Sequence, residues 1–211
     1  MRILNLHGFM GKADNRNYSA LCKLMPKEDI VSPKLDFMNE HPAELIEKLS
    51  KIIKNEDIDI VIGQSFGGFY ALHLAYRCGI PCILTNPCLF PADTGVIVDS
   101  DISRDILEEY GHILRSAYFA KAYILLSDND TIIPDNKERC KGMTPHIKVV
   151  EGTHSNIRDL KKELADILDI LSDPKEREVY LDDLLYGSSG IVLVNDEKTI
   201  VIRQLGNIED E

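Results

Sequence analysis

Short apolar runs and longer amphipathic stretches alternate along most of this chain. Residues 1–6 read as a strand, and His7-Gly8-Phe9-Met10-Gly11 follows as a glycine-punctuated loop. Residues 14–25 carry apolar positions at helical spacing (Tyr18, Leu21, Cys22, Leu24, Met25) and stop before Pro26. Residues 30–35 read as a second short strand, whose end or edge position Pro33 marks. Pro42 with Glu44 behind it opens a helix through Leu45, Ile46, Leu49, Ile52 and Ile53. The apolar run 59–62 ends in Gly63-Gln64-Ser65-Phe66-Gly67, and a helical pattern continues at once to Gly79. Residues 81–86, 122–127 and 147–150 are further strands. A charged helical segment lies within 87–119, a short helix near 135–141, and a strongly amphipathic helix through Ile157, Leu160, Leu164, Ile167, Leu168 and Leu171.

About six strands alternating with helices predict a mostly parallel sheet covered on both faces, a three-layer α/β/α sandwich in one domain spanning 1–171. The remainder, 172–211, breaks the pattern. Ser172-Asp173-Pro174 is a helix start, and the helix is expected to reach about Tyr186, with Gly187 behind it. Residues 190–194 and 199–203 then form a β-hairpin. A lone hairpin is marginal in water, so this one needs the chain's own sheet edge or a second copy, the latter making a homodimer.

Composition narrows the function. The 211 residues are 44% hydrophobic and 28% charged, ordinary for a globular protein, and the net charge of −11 disfavours nucleic acid and anionic membranes as partners. No secretory leader and no apolar run of membrane-spanning length is visible. Five cysteines without a Cys-x-x-Cys pair read as buried reduced thiols, which places the protein in the cytoplasm. No His/Cys spacing suggests a metal, and no organic cofactor is expected.

In an open parallel sheet, chemistry gathers at the carboxyl ends of strands. Those ends carry His7-Gly8-Phe9, Ser65, Asn86, Asp128 with Asp130, and His154. Gly63-Gln64-Ser65-Phe66-Gly67 is a Gly-x-Ser-x-Gly turn between strand and helix, which pushes a serine hydroxyl outward on a sharp bend. By itself the pattern is weak, since glycine is common and a glycine-rich turn also suits phosphate. The chain order Ser65, acid, His154 strengthens it. Serine needs a base to become nucleophilic, imidazole titrates near neutrality, and a carboxylate fixes its tautomer. Asp130 is the preferred acid because Ile132-Ile133 can anchor in the core beside it; Asp128 and Asp93 are the alternatives, and Asp135 is expected to cap the next helix. His41 and His73 read as structural. The amides of Phe9 and Phe66 are candidate oxyanion donors, Gly8 lets the loop turn them inward, and His7 is expected to fix that loop. Asn86 joins these as a substrate-side candidate, and the rings of Phe9 and Phe66 as an apolar wall or plain core.

Residues 4–9 (Leu-Asn-Leu-His-Gly-Phe), 63–71 (Gly-Gln-Ser-Phe-Gly-Gly-Phe-Tyr-Ala), 84–87 (Leu-Thr-Asn-Pro) and 152–154 (Gly-Thr-His) resemble the small bacterial esterases of the YqiA/YcfP type, compact members of the α/β-hydrolase superfamily. The resemblance covers roughly 1–171. It implies an α/β-hydrolase fold and serine-ester hydrolysis, with Ser65, Asp130 and His154 as triad and Phe9 and Phe66 as oxyanion donors. The tail from 173 onward is not part of it.

The expected function is a carboxylesterase acting on a small-molecule ester through an acyl-enzyme, with thioesterase or amidase activity as variants. Residues 87–119 are too few for a large lid, so the acyl group is expected to be small to medium. The contrasting reading is a non-catalytic binding or scaffold protein that uses the C-terminal hairpin.

Overall fold

The computed structural model describes residues 1–112, 118–180 and 184–185. Its elements are β1 (Ile3–Leu6), α1 (Arg16–Leu21), β2 (Ile30–Val31), α2 (Pro42–Asn55), β3 (Ile60–Gln64), α3 (Phe66–Cys78), β4 (Cys82–Thr85), α4 (Gly95–Val98), α5 (Arg104–His112), β5 (Tyr118–Phe119), β6 (Ala122–Asn129), α6 (Asn136–Arg139), β7 (His146–Thr153), β8 (Asn156–Ile157), α7 (Leu160–Ile170), α8 (Pro174–Arg177) and β9 (Leu184–Leu185). A seven-stranded sheet runs β2-β1-β3-β4-β6-β7-β8. Its pairings are parallel except the last, between β7 and β8.

Alternation along the central strands sends side chains into two separate cores. On β3, Ile60 and Ile62 pack with Ile3, Ile83 and Leu125 against Leu164, Ile167 and Leu168 of α7. Val61 faces the opposite side with Leu4, Leu6 and Leu84, beneath Leu45 and Leu49 of α2 and Phe69 and Leu74 of α3. Both faces of the strand are therefore dry, which is why its sequence is continuously apolar. Leu6 lies beside Gly63, Gln64 beside Thr85, and Ser127 beside Val150, so the carboxyl ends of β1, β3, β4, β6 and β7 share one rim.

Two expectations are corrected. Ile157 belongs to β8, not to the amphipathic helix, which starts at Leu160. Gly152 makes this return possible: a Cβ there would sit 2.4 Å from the Asn156 carbonyl oxygen, and its φ of 157° disfavours other residues. The turn between β7 and β8 thus carries His154 and Ser155. A helix does begin at Pro174, with the Asp173 carboxylate accepting from the Lys175 amide, but it ends at Arg177 rather than near Tyr186. Glu178 is already extended, Val179 packs on the α3-side core, and β9 pairs antiparallel with β5. Those contacts outcompete further helix. Arg177 lies 3.6 Å from Asp59, which ties α8 to the body of the protein. The expected hairpin at 190–203 lies outside the described residues.

Among the described residues, no helix is long and apolar enough to cross a membrane. All five cysteines are free.

Candidate active site

Ser65 occupies the bend between β3 and α3 with φ 51° and ψ −118°, a conformation that costs on the order of 1–3 kcal/mol for a non-glycine residue. Backbone bonds hold it there. Its amide donates to the Thr85 carbonyl at 3.0 Å, and its carbonyl accepts from the amides of Gly68 and Cys88, each at 2.8 Å. The bend also requires close backbone approach. A Cβ on Gly63 would lie 2.3 Å from the Gly67 carbonyl oxygen, and one on Gly67 would lie 2.5 Å from the carbonyl oxygens of both Leu6 and His7. None of these three backbone atoms is free to retreat.

His154 reaches this serine from the β7–β8 turn. Its Nε2 stands 2.8 Å from Ser65 Oγ and its Nδ1 stands 2.8 Å from Asp130 Oδ2. A carboxylate only accepts, so Nδ1 carries the proton and Nε2 is left to accept the serine hydroxyl. Both side chains are nearly buried, at 10% and 6% exposure. Burial by itself raises the Asp130 pKa, but the His154 hydrogen bond and the amides of Ile133 and Ile132 outweigh it, and the net shift is downward. Those amides reach Asp130 Oδ1 at 2.9 and 3.0 Å. Of the expected anchor pair, Ile133 is buried and Ile132 is 44% exposed, so one isoleucine does the anchoring.

The alternative acids have other employment. Asp128 is exposed and accepts the Gly152 amide at 2.9 Å, bracing the β7–β8 hairpin. Asp93 sits exposed in a 3-10 turn. Asp135 stands at the start of α6 but binds Arg139 Nε at 2.8 Å instead of a helix amide.

His7 is 2% exposed and fixes its loop as expected. Its Nε2 accepts the Leu35 amide at 3.0 Å, so the proton is on Nδ1, which donates to the Gly8 carbonyl at 2.8 Å. Burial holds the ring's pKa below its usual value. Gly8 faces the serine directly: a Cβ there would meet Ser65 Cβ at 3.1 Å and Ser65 Oγ at 3.6 Å. Among the described residues, neither the Phe9 nor the Phe66 amide has a protein acceptor. Their rings differ. Phe66 is fully buried among Phe37, Phe69, Tyr70 and Tyr110, so it is core and not wall, while the half-buried Phe9 covers it edge-on at 5.7 Å.

Asn86 is placed differently from the expectation that it meets substrate. It is 1% exposed, has φ 43°, and uses its whole amide inside the protein. Nδ2 donates to Ser127 Oγ at 2.5 Å and to the carbonyls of Thr153 and His154 at 3.1 and 2.9 Å; Oδ1 accepts the Ser127 amide at 2.6 Å. Ser127 Oγ in turn donates to the Thr153 carbonyl at 2.7 Å. Ser127 was not singled out by sequence, although a lone hydroxyl ending an apolar strand run was a usable signal. His41 and His73 are structural, bonded to Glu109 and to the Phe69 carbonyl. Among the described residues, no group of three or more His, Cys, Asp or Glu is arranged to hold a metal ion.

A family profile described as "Uncharacterised protein family (UPF0227)" matches residues 2–172. A UPF0227 protein of Vibrio parahaemolyticus is 25% identical over 156 residues, covering 70% of this chain and 86% of the relative. One of Shewanella woodyi is 30% identical over 136 residues, 61% of this chain and 75% of the relative. Among solved structures, the RedJ thioesterase of the prodiginine pathway in Streptomyces coelicolor aligns with a TM-score of 0.54 at 16% identity, over 79% of this chain and 88% of that one. The esterase RhEst1 from Rhodococcus aligns with a TM-score of 0.53 at 11% identity, over 82% and 90%. At such identities the likeness is one of fold, and the fold is that of the α/β-hydrolases.

Proposed function

The chain belongs to family UPF0227, and we propose that this member of it is a serine hydrolase that cleaves small to medium carboxylic esters or thioesters. The observation that carries this reading is one imidazole at 2.8 Å from both a serine hydroxyl and a carboxylate, on the functional rim of the sheet. His154 Nε2 removes the hydroxyl proton as Ser65 Oγ attacks the acyl carbon, and Asp130 stabilises the imidazolium that forms. The tetrahedral oxyanion receives the amides of Phe66 and Phe9, each worth on the order of 3–4 kcal/mol of transition-state stabilisation. His154 then returns the proton to the leaving group, and water repeats the sequence on the acyl-enzyme. That RedJ is a thioesterase and RhEst1 an esterase accords with acyl transfer on this fold. Ser65→Ala is expected to abolish hydrolysis of a short p-nitrophenyl ester while leaving circular dichroism unchanged; near-full activity in that variant would remove Ser65 from the mechanism.

A further inference from the structure

We propose that the groove between α1 and α7 is an anion subsite, taking a carboxylate or phosphate carried by the ester or thioester substrate; its substrate half rests on the reading of Ser65 given above. The groove has a volume of about 410 Å³, with Arg16, Lys23 and Lys161 around it, Ser19 at its rim and a floor of Ala20, Ile157 and Leu160. In a chain of net charge −11, three cations converge on this one groove. On the adjoining β7–α7 surface the rule is pairing: Arg158 with Glu151, Lys162 with Asp166, Lys148 with Glu163. Among the described residues, Arg16, Lys23 and Lys161 form no ion pair. One carboxylate does line the groove, Asp159, and it lies 3.9 Å from Arg158.

Three like charges around one concavity repel one another, and a small anion relieves that repulsion while accepting a two-pronged bond from the guanidinium. The acidic remainder of the surface repels nucleic acid and anionic membranes, which leaves a compact anion as the occupant.

The groove adjoins the reactive rim through Arg16. Arg16, Ile157 and Leu160 also line a narrow crevice bounded by Gln64, which precedes the serine, and by His154 and Ser155. That crevice, about 10 Å³, is too small for a ligand, but it puts the guanidinium-bearing helix against the histidine turn. A substrate with its carbonyl at Ser65 and a charged arm running over Ser155 ends among these cations.

The test uses matched pairs. For a charge on the acyl side, mono-p-nitrophenyl adipate is compared with its methyl ester; for a charge on the leaving side, butyryl-pantetheine 4′-phosphate is compared with butyryl-pantetheine. In at least one pair the anionic member is expected to have the lower KM, by roughly tenfold at low ionic strength, with the preference shrinking as salt is added. The double variant Arg16→Gln/Lys161→Gln is expected to bring the two kcat/KM values together, whereas Lys54→Gln on distant α2 keeps them apart. No preference in either pair, or a preference that survives the double variant, overturns the subsite. If no ester is turned over at all, the Ser65 reading fails, and the subsite is then judged on inorganic phosphate by NMR titration. Saturable shifts around the groove that the double variant removes support it; their absence overturns it.

Discussion

The side-chain amide of Asn86 donates to the main-chain carbonyl of His154 at 2.9 Å, so the residue just after β4 holds the turn that carries His154. Because the buried Asn86 also binds the buried Ser127 and the Thr153 carbonyl, the imidazole's position is set from behind by the end of β4 and by β6. Asn86→Asp isolates this role. The carboxylate tolerates the positive φ and can still accept the Ser127 amide, but it has no proton for the Thr153 and His154 carbonyls. Kinetics on a p-nitrophenyl ester are expected to show kcat reduced about tenfold to a hundredfold with KM little changed, as a small displacement of a catalytic group produces. A rise in KM with kcat intact would instead return Asn86 to the substrate side.

Asp130→Asn is expected to lower kcat by a factor of about 10⁴, because an amide at this position leaves the wrong histidine tautomer in reach of the serine. Its stability consequence depends on pH. The folded-state pKa of Asp130 is depressed, so the fold prefers the ionised form. That contribution is complete above the unfolded carboxylate value of about 3.9 and disappears as pH falls through the lower folded value. Thermal melts of both proteins should therefore show a Tm gap that is steady near neutrality and narrows below about pH 4. A gap that widens on acidification would contradict the assignment.

The serine bend, Asp130 and His154 were legible in the sequence as candidates, because each follows a strand, and the structure brings the three side chains together. The sequence could not show what supports them. An asparagine after a strand looks the same whether it faces solvent or is buried behind a turn; only the packed positions of Ser127 and Thr153 separate the two. Ile157 continues the 3.6-residue apolar spacing of α7, and nothing local says that Gly152 folds it back as a strand. Residues 174–177 carry a sound helix start, yet Val179 gains burial by leaving the helix, a tertiary contact that local propensity does not encode. Arg16, Lys23 and Lys161 are far apart in the chain, and their convergence on one groove follows from α1 packing beside α7.

Tyr70 and Tyr110 hydrogen-bond hydroxyl to hydroxyl within the aromatic cluster beneath Phe66. Burial is the main cause pushing both phenols' pKa values well up, so the pair is neutral at all ordinary pH values. Tyr110→Phe leaves one buried hydroxyl without its partner and is expected to cost about 1–3 kcal/mol in urea unfolding. Tyr70→Phe/Tyr110→Phe should cost clearly less than the two single variants summed. Simple additivity would mean that the hydroxyls are not coupled.

The most direct measurement is the mass of the intact protein after brief treatment with a fluorophosphonate, followed by mapping of the adduct. Such a reagent phosphonylates only a serine whose proton a neighbouring base withdraws. One adduct on Ser65, formed in the wild type and lost in His154→Ala, is the expected result. An unmodified wild-type protein, or an adduct on Ser65 that forms equally fast without His154, would contradict the account and leave this fold as a binding scaffold.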